Sequence, residues 1–148
     1  MIRKAGVGDA SRIELLMKAV PGFWDATWRP DVLDRVLRSS ETVALVSVDE
    51  SSINGFICGH DVGFRAYLSE LVVSPSVQGH GIGGQLLADL ERRLAERGCC
   101  VLIADVWRDA AGFYESRGWA PPPVVLLRKR LSSAAVAGSE GRPDAGGS

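Results

Sequence analysis

Residues 70–87, ELVVSPSVQGHGIGGQLL, decide the fold of this 148-residue chain. An apolar run that is rich in β-branched residues ends at Pro75, and a glycine-rich turn follows it. Apolar residues then recur at helical spacing, at Ile82, Leu86, Leu87, Leu90 and Leu94. Gly98 supplies a stop signal for that helix. The pattern predicts a strand, a loop and a helix, in that order.

The glycine-rich turn predicts a phosphate-binding site. Glycines at the start of a helix let backbone amides approach a ligand closely. The N–H groups of the first helical turn and the positive end of the helix dipole both favour phosphate there. The ligand predicted by this turn is therefore a phosphorylated cofactor.

A dinucleotide-binding protein is one class that uses such a turn. The glycines Gly79-x-Gly81-x-x-Gly84 satisfy its fingerprint, and Asp105 ends the next apolar run, where a ribose-binding acid would lie. That fingerprint places its first glycine directly after the strand, whereas residues 74–78, with a proline among them, intervene here. This class is the less favoured alternative.

Two signatures together indicate a different class. Gln78-x-x-Gly81-x-Gly83 resembles the Q/R-x-x-G-x-G/A signature of the GNAT family of acetyl-CoA-dependent N-acetyltransferases. Residues 110–119, AAGFYESRGW, resemble that family's A-x-x-[FL]-Y-x-x-x-G-[FWY] helix and follow after one intervening helix and strand. Two signatures in register are much more specific than either one alone.

The resemblance implies a fold for residues 1–131. The order βααβββαβαβ matches the GNAT acyl-CoA N-acyltransferase fold, which is α/β (α+β mixed), with a mixed antiparallel and parallel central sheet flanked by helices. In such folds the two central strands splay apart after a bulge and leave a wedge for the cofactor. Residues 132–148 are serine, glycine and alanine with isolated charges, and their composition predicts a disordered C-terminal tail.

Apolar runs give the expected strands. Residues 42–48 and 53–60 predict an antiparallel hairpin, and residues 65–73 a third antiparallel strand. Residues 100–106 are almost uninterruptedly apolar, which is typical of a strand that is buried on both faces. Residues 124–131 predict a last strand, and the three prolines before it should shorten or remove the penultimate strand that many relatives show.

Acidic and hydroxyl residues mark the expected helix starts. Asp9 or Ser11 can cap a helix that carries Ile13 on its apolar side. Asp109 is similarly placed before the helix that holds Tyr114.

The resemblance also implies how coenzyme A binds. Backbone amides of the turn should hold its pyrophosphate, and main-chain groups of Val72 and Val73 should pair with the pantetheine arm as an added strand would. The alternative is a tight turn with a helix cap and no ligand. The predicted residues that bind this cosubstrate, acetyl-CoA, are Leu71, Val72, Val73, Gln78, Gly79, His80, Gly81, Ile82, Gly83 and Gly84.

Acyl transfer by direct attack requires an uncharged amine. A lysine-like amine, with a pKa of about 10.4, is mostly protonated at neutral pH, so a base is useful. Glu70, three residues before Val73, is the candidate general base, acting directly or through water. An ordinary strand glutamate that faces solvent is an equally open alternative. His60 and His80 are reserve candidates.

Tyr114 occupies the position of the family's tyrosine. By resemblance its hydroxyl donates a proton or a hydrogen bond as charge develops on the leaving sulfur. A buried tyrosine that only needs a partner for its hydroxyl is the structural alternative. The position seven residues earlier, where many relatives carry asparagine, is Trp107 in this chain.

An aromatic connector follows the first helix. In the GNAT family this segment commonly borders the acceptor site, although its rings could instead cap the core. The predicted substrate-binding residues are Phe23, Trp24 and Trp28. Nearby acidic residues hint at a cationic acceptor, namely Asp25, Asp31, Asp34 and Glu41.

Composition sets outer limits on function. A net charge of −1 and a pI of about 6.1 give no overall footprint for nucleic acid or for an anionic membrane. No signal peptide and no run of 18 apolar residues is present, so a cytoplasmic protein is predicted. The cysteines Cys58, Cys99 and Cys100 lie in apolar runs without the spacing of metal ligands, which predicts buried free thiols and no metal site.

These observations predict an N-acetyltransferase that moves the acetyl group from acetyl-CoA to a primary amine in a ternary complex, without a covalent enzyme intermediate. The acceptor is a small molecule or a peptide, and neither nucleic acid nor a membrane is an expected partner. A homodimer is compatible with such folds. A non-catalytic acetyl-CoA-binding sensor is the main alternative.

Overall fold

The computed structural model describes residues 1–131, so the predicted tail at 132–148 lies outside the described residues. Five strands form one sheet in the order β1-β2-β3-β4-β5. The strands are β1 (Ile2–Lys4), β2 (Thr42–Asp49), β3 (Ser52–Asp61), β4 (Ala66–Val73) and β5 (Leu102–Ile103). The helices are α1 (Ala10–Ala19), α2 (Val32–Arg38), α3 (Ile82–Glu96) and α4 (Ala111–Glu115), with short 3-10 helices at Val7–Asp9, Pro75–Val77 and Arg108–Ala110.

The sheet is antiparallel through its first four strands and parallel at its last pair. The predicted hairpin is confirmed, because Thr42 pairs with His60 at one end and Asp49 with Ser52 at the turn. The predicted fold class, a mixed sheet flanked by helices, is also confirmed. A sheet with four antiparallel strands argues against the mostly parallel sheet of the dinucleotide-binding alternative.

Each face of the sheet has its own hydrophobic core. The α1 and α2 side contains Ile13, Met17 and Phe56, and the α3 side contains Leu45 and Leu86, all of them fully or almost fully buried. Side chains alternate between the faces along a strand, so a central strand covered on both sides must be apolar at successive positions. The run of buried residues in β2 and β3 follows from this arrangement.

Two glycines of β3 bring α3 close to the sheet. A Cβ atom on Gly55 would lie 2.9 Å from Ile82 Cγ2 and 2.9 Å from Leu86 Cδ1. A Cβ atom on Gly59 would lie 3.0 Å from Leu90 Cδ1. Because these two positions have no side chain, α3 can lie close to the sheet. The distance between α3 and the sheet in turn sets the position of the turn at the N-terminus of α3.

The C-terminal part of the sheet differs from the prediction. The doubly buried strand predicted at 100–106 is wrong, because β5 contains only Leu102 and Ile103 and its apolar side chains are partly exposed. The strand predicted at 124–131 is also wrong, since this segment has no regular secondary structure and its side chains are exposed. Within residues 1–131, therefore, no strand covers the outer edge of β5.

Neither acidic residue caps a helix as predicted. Asp9 occupies the N-cap position of α1, but its side chain instead accepts hydrogen bonds from Gly6 N–H, Arg3 and Arg12. Asp109 lies inside the short 3-10 helix before α4. The N-cap residue of α4 is Ala110, and no side chain caps this helix.

The cysteines differ in their burial. Cys58 is buried, Cys99 is half-buried and Cys100 is exposed, so the prediction of three buried thiols is right only for Cys58. In the described part of the chain, no three His, Cys, Asp or Glu residues are grouped as a metal site. Over the same residues, no helix has both the length and the apolar character needed to cross a membrane.

Candidate functional site

A wedge opens between β4 and β5. The two strands pair only at Ala66 with Leu102 and at Tyr67 with Ile103, while β4 continues for six more residues to Val73. The Tyr67 hydroxyl donates a hydrogen bond to Asp105 just beyond the last of these pairs. The backbone edge of β4 after Tyr67 is therefore not paired with β5.

A bulge in β4 lies at the start of this wedge. Cys58 pairs with Glu70 and Gly59 pairs with Leu68, so Ser69 is an extra residue in β4. A bulge bends a strand and changes the direction of its side chains. The splayed strands and the bulge are the features that the family resemblance implied.

A cavity of about 910 Å³ occupies the wedge. Its volume is within the range of small-molecule and cofactor sites. It lies between the end of β4, the start of α3 and α4. The lining residues include Phe23, Leu71, Val73, Gln78, Gly79, Gly81, Ile82, Gly83, Gly84, Trp107, Tyr114 and Arg117.

The glycine turn has the conformation that its sequence predicts. Gly79 and Gly81 have φ angles of 86° and 83°, in the left-handed region that favours glycine. Gly81 is the N-cap of α3, and the first helical bond joins Gln85 N–H to its carbonyl at 3.1 Å. The amides of residues 82–84 consequently have no partner within the helix.

Two side chains of the turn bind the local backbone. Gln78 Nε2 donates to the Val73 carbonyl at 3.1 Å, and His80 Nδ1 lies 2.9 Å from the Val77 carbonyl oxygen. His80 is exposed. These contacts hold the turn against the end of β4, so its backbone faces the cavity.

Tyr114 lies in the wall of the cavity and is buried. Its ring packs edge-on against Phe113 and Trp119, with centroid distances of 5.0 and 5.3 Å. Burial and the charge of Glu70 raise the pKa of Tyr114 to about 12. The phenol is therefore protonated at neutral pH and can donate a hydrogen bond.

Glu70 is half-buried and does not line the cavity. Its charge acts on Tyr114 and also contributes to the raised pKa of Cys58, which burial brings to about 12. Glu70 thus lies near the predicted acid, at the bulge, rather than in the cavity wall. Burial of the Cys58 thiol and its raised pKa both disfavour the thiolate, which is the nucleophilic form of cysteine.

His60 belongs to a hydrogen-bonded group that the sequence analysis did not identify. Its Nε2 atom lies 2.7 Å from Ser69 Oγ and its Nδ1 atom 3.2 Å from Thr42 Oγ1. Burial lowers the pKa of His60, which favours a neutral imidazole. The three residues come from three strands, so only the register of the sheet brings them together.

The aromatic connector is divided between two environments. Phe23 lines the cavity. Trp24 and Trp28 pack edge-on, with their ring centroids 5.2 Å apart. Both also pack against the core on the α1 and α2 side. Lys18 Nζ lies 4.9 Å from the centroid of the Trp24 ring. Substrate binding by the two tryptophans stays a prediction.

The acidic residues near the connector contact groups of the chain itself. Asp25 accepts hydrogen bonds from the backbone and the hydroxyl of Thr27. The other three form ion pairs, which are Asp31 with Arg35, Asp34 with Arg38 and Glu41 with Arg97. None of the four lines the cavity, so they lend no support to a cationic acceptor.

Arg117 lines the cavity, although no sequence motif predicted it as a site residue. Its guanidinium carbon lies 4.0 Å from the centroid of the Phe113 ring, and Nη1 donates to the Phe113 carbonyl at 2.8 Å. Nη2 lies 2.8 Å from where a Cβ atom on Gly84 would be, which places this cation beside the glycine turn. Arg117 occupies a variable position of the second signature, so the motif alone gave it no weight.

Comparison with known proteins agrees with this geometry. Residues 11–119 match the model of the acetyltransferase (GNAT) family. An acetyltransferase of Yersinia enterocolitica is 30% identical over 102 residues, which cover 67% of this chain and 72% of that protein.

Solved structures share the fold at low sequence identity. A transcriptional regulator from Bacillus halodurans has a TM-score of 0.73 at 20% identity and covers 88% of this chain and 99% of its own. The aminoglycoside N-acetyltransferase AAC(6')-Iy, in complex with CoA, has a TM-score of 0.70 at 17% identity, with 88% of this chain and 100% of its own covered. The family match, the relative and the shared fold lead to one conclusion: the chain belongs to the GNAT family of acetyltransferases.

Proposed function

We propose that the protein is an N-acetyltransferase that moves an acetyl group from acetyl-CoA to a primary amine by direct attack in a ternary complex. One observation carries the proposal. The glycine turn, the open edge of β4 and the protonated phenol of Tyr114 all border the same cavity. A structurally similar protein was solved with CoA, which supports this choice of cosubstrate.

The residues of the cavity fit coenzyme A. The amides of residues 82–84 and the Arg117 guanidinium offer donors and positive charge for phosphates. Between Leu71 and Val73, the backbone of β4 can bind an extended amide-containing arm as a strand would. When bound, acetyl-CoA supplies an acetyl group that is activated as a thioester.

Two side chains of the protein accept and donate protons in the proposed reaction. Because Glu70 lies outside the cavity wall, it takes a proton from the ammonium form of the acceptor through water, so that the amine becomes a nucleophile. Tyr114, which keeps its proton at neutral pH, would donate a proton or a hydrogen bond where negative charge develops on sulfur. Phe23 and Trp107 supply aromatic surface in the cavity wall, which limits the access of water. The acceptor is a small molecule or a peptide that carries a primary amine.

Calorimetric titration of the protein with acetyl-CoA, beside NAD at the same concentrations, tests the cosubstrate. We expect saturable one-to-one binding of acetyl-CoA alone, followed by release of free thiol when primary amines are added. Arg117→Ala should weaken acetyl-CoA binding about tenfold, because it removes one charge-assisted contact. Arg108→Ala is the matched control, since Arg108 is exposed and does not line the cavity. Binding of NAD in place of acetyl-CoA would contradict the proposal.

A non-catalytic acetyl-CoA sensor is the second candidate. It is favoured by the position of Glu70 outside the cavity wall and by Trp107, where many relatives carry asparagine. A sensor would bind acetyl-CoA with the same dependence on Arg117, yet release no thiol with any primary amine. The thiol assay therefore separates the two candidates.

A further inference from the structure

Ser69 and Glu70 are neighbours in β4, yet their side chains face the same side of the sheet. Leu68 lies in the core on the α3 side, and Leu71 packs against that same core. Side chains alternate along a regular strand, so one residue would normally separate Leu68 from the next residue on its face. Two residues separate Leu68 from Leu71, because the bulge adds one. Both of these residues therefore face the α1 and α2 side.

Contacts between β4 and β3 agree with this placement. Cys58 belongs to the core on the α1 and α2 side and pairs directly with Glu70, and paired residues of neighbouring strands share a face. His60 Nε2 lies 3.4 Å from Cys58 Sγ and 2.7 Å from Ser69 Oγ, so these side chains also lie on that face. Without the bulge, Glu70 would point into the leucine core on the α3 side. The bulge therefore sets the direction of this side chain.

The His60 imidazole links the bulge to β3. Ser69 is the extra residue, which the register between β3 and β4 skips, and its hydroxyl makes the contact with the ring instead. Thr42 Oγ1 lies 3.2 Å from Nδ1 of the same ring and so restrains it from β2. A neutral imidazole has one donor and one acceptor nitrogen, and a hydroxyl can take either role. Both contacts are therefore satisfied in either tautomer, which makes the ring a fixed support for the bulge.

We propose that Ser69 and His60 are positioning residues for Glu70, because their hydrogen bond holds the bulge that turns its carboxylate to the α1 and α2 side. The end of α1 and the connector close the cavity from this side, through Val20 and Phe23. Neither Ser69 nor His60 lines the cavity, so both act through Glu70. This role rests on the proposed function, in which Glu70 takes the proton of the acceptor amine through water.

The turnover of Ser69 and His60 variants tests this role, with a primary amine that is active in the thiol assay. Ser69→Ala and His60→Phe should lower kcat by up to about 100-fold, the cost of a small displacement of a catalytic group. The Kd for acetyl-CoA, measured by calorimetry, should change little. Ser69→Thr keeps the hydroxyl and should restore most of the rate. Ser11→Ala is the matched control, because Ser11 is exposed on α1 and takes no part in the bulge.

The Glu70→Gln background separates a positioning role from a purely structural one. Because Ser69 acts through the carboxylate, Ser69→Ala should lower kcat no further once that carboxylate is gone. An equal loss of kcat in both backgrounds, or a loss of acetyl-CoA binding that matches the loss of kcat, would overturn the proposal. A Ser69→Ala variant that turns over as fast as the natural chain would do the same.

Failure of the proposed function has a different signature in these measurements. The natural chain itself would then release no thiol with any primary amine, and the positioning role would be overturned together with the function. A natural chain that turns over, beside Ser69 and His60 variants that match it, would overturn the positioning role alone.

Discussion

Asp9 is buried between two arginine side chains and joins β1 to α1. Its carboxylate accepts two hydrogen bonds from Arg3, at 2.8 and 2.9 Å, one from Arg12 at 2.6 Å and one from Gly6 N–H at 2.8 Å. Local sequence predicted a helix cap, because an acidic residue before an amphipathic helix is a common cap. The Arg3 contacts require the strand to lie beside the helix, which no local pattern shows.

We expect Asp9→Asn to lower the free energy of unfolding by about 2 kcal/mol at pH 7, because hydrogen bonds to a charged group are lost. The Arg3 hydrogen bonds hold the pKa of Asp9 well below its usual range. Burial opposes this shift, whereas the Gly6 N–H and the charges of Arg3 and Arg12 add to it. A lowered pKa in the folded state stabilises the protein fully above the unfolded pKa of about 3.9, and this stabilisation is lost as pH falls.

Urea unfolding at pH 7 and pH 3 measures this difference, which should shrink at the lower pH. Asp34→Asn provides the control, since its ion pair with Arg38, at 2.9 Å, is exposed and should contribute little. Equal losses for the two variants, or a loss for Asp9→Asn that is the same at both pH values, would contradict the argument.

Tyr114 allows a prediction about catalysis. Tyr114→Phe should lower turnover by about 10²- to 10⁴-fold, the usual contribution of a general acid, while the KM for acetyl-CoA changes little. Because burial and the charge of Glu70 raise the pKa of Tyr114 to about 12, ionisation of this phenol should not limit the rate of the natural enzyme near neutral pH. Steady-state rates with a primary amine measure both effects. Unchanged turnover would remove Tyr114 from the mechanism.

The contact between α3 and β3 depends on two glycines. Gly55→Ala should lower the free energy of unfolding by about 1–3 kcal/mol, because the added methyl overlaps Ile82 and Leu86. Ile82 begins α3, so the same change should weaken acetyl-CoA binding. Urea unfolding and calorimetry measure the two effects. Gly8→Ala is a suitable control, because a Cβ atom there meets nothing within 4 Å. Equal stability of the two variants would show that α3 adjusts freely.

Elements whose signal is local could be predicted from the sequence. The hairpin of β2 and β3 follows from two apolar runs joined by a polar turn, and α3 follows from its apolar spacing. The apolar run at 100–106 predicted a doubly buried strand, but only Leu102 and Ile103 pair with β4, and Val101 and Ile103 are 53% and 38% exposed. The segment is apolar as the prediction required, but most of it lies outside a strand.

In the candidate site too, residues that lie in local motifs could be predicted, whereas residues brought together by the tertiary fold could not. The glycine turn and Tyr114 lie in motifs, so their place in the cavity followed from the resemblance. Arg117 and the contact of His60 with Ser69 depend on how separate elements approach each other. Sequence spacing carries no information about such contacts without the strand register.

At the scale of the whole molecule, the centre of the sheet is tightly packed, whereas the part of the chain from β5 to α4, on the other side of the cavity, has fewer contacts with it. Leu45, Phe56 and Ile57 lie at the centre of the sheet and are almost fully buried, whereas β5 is held to the sheet by two residue pairs. Regions with few buried contacts open more easily than the core, and a ligand that contacts both parts restrains them together.

Hydrogen exchange should therefore be slowest in β2 and β3 and faster in residues 107–117. Acetyl-CoA should slow exchange in residues 79–84 and 113–117 at the same time, because both segments line the cavity. NAD at the same concentration serves as the control and should change neither segment. If acetyl-CoA protected only the glycine turn, α4 would not form a wall of the binding site, and Arg117 and Tyr114 would lose their proposed roles together.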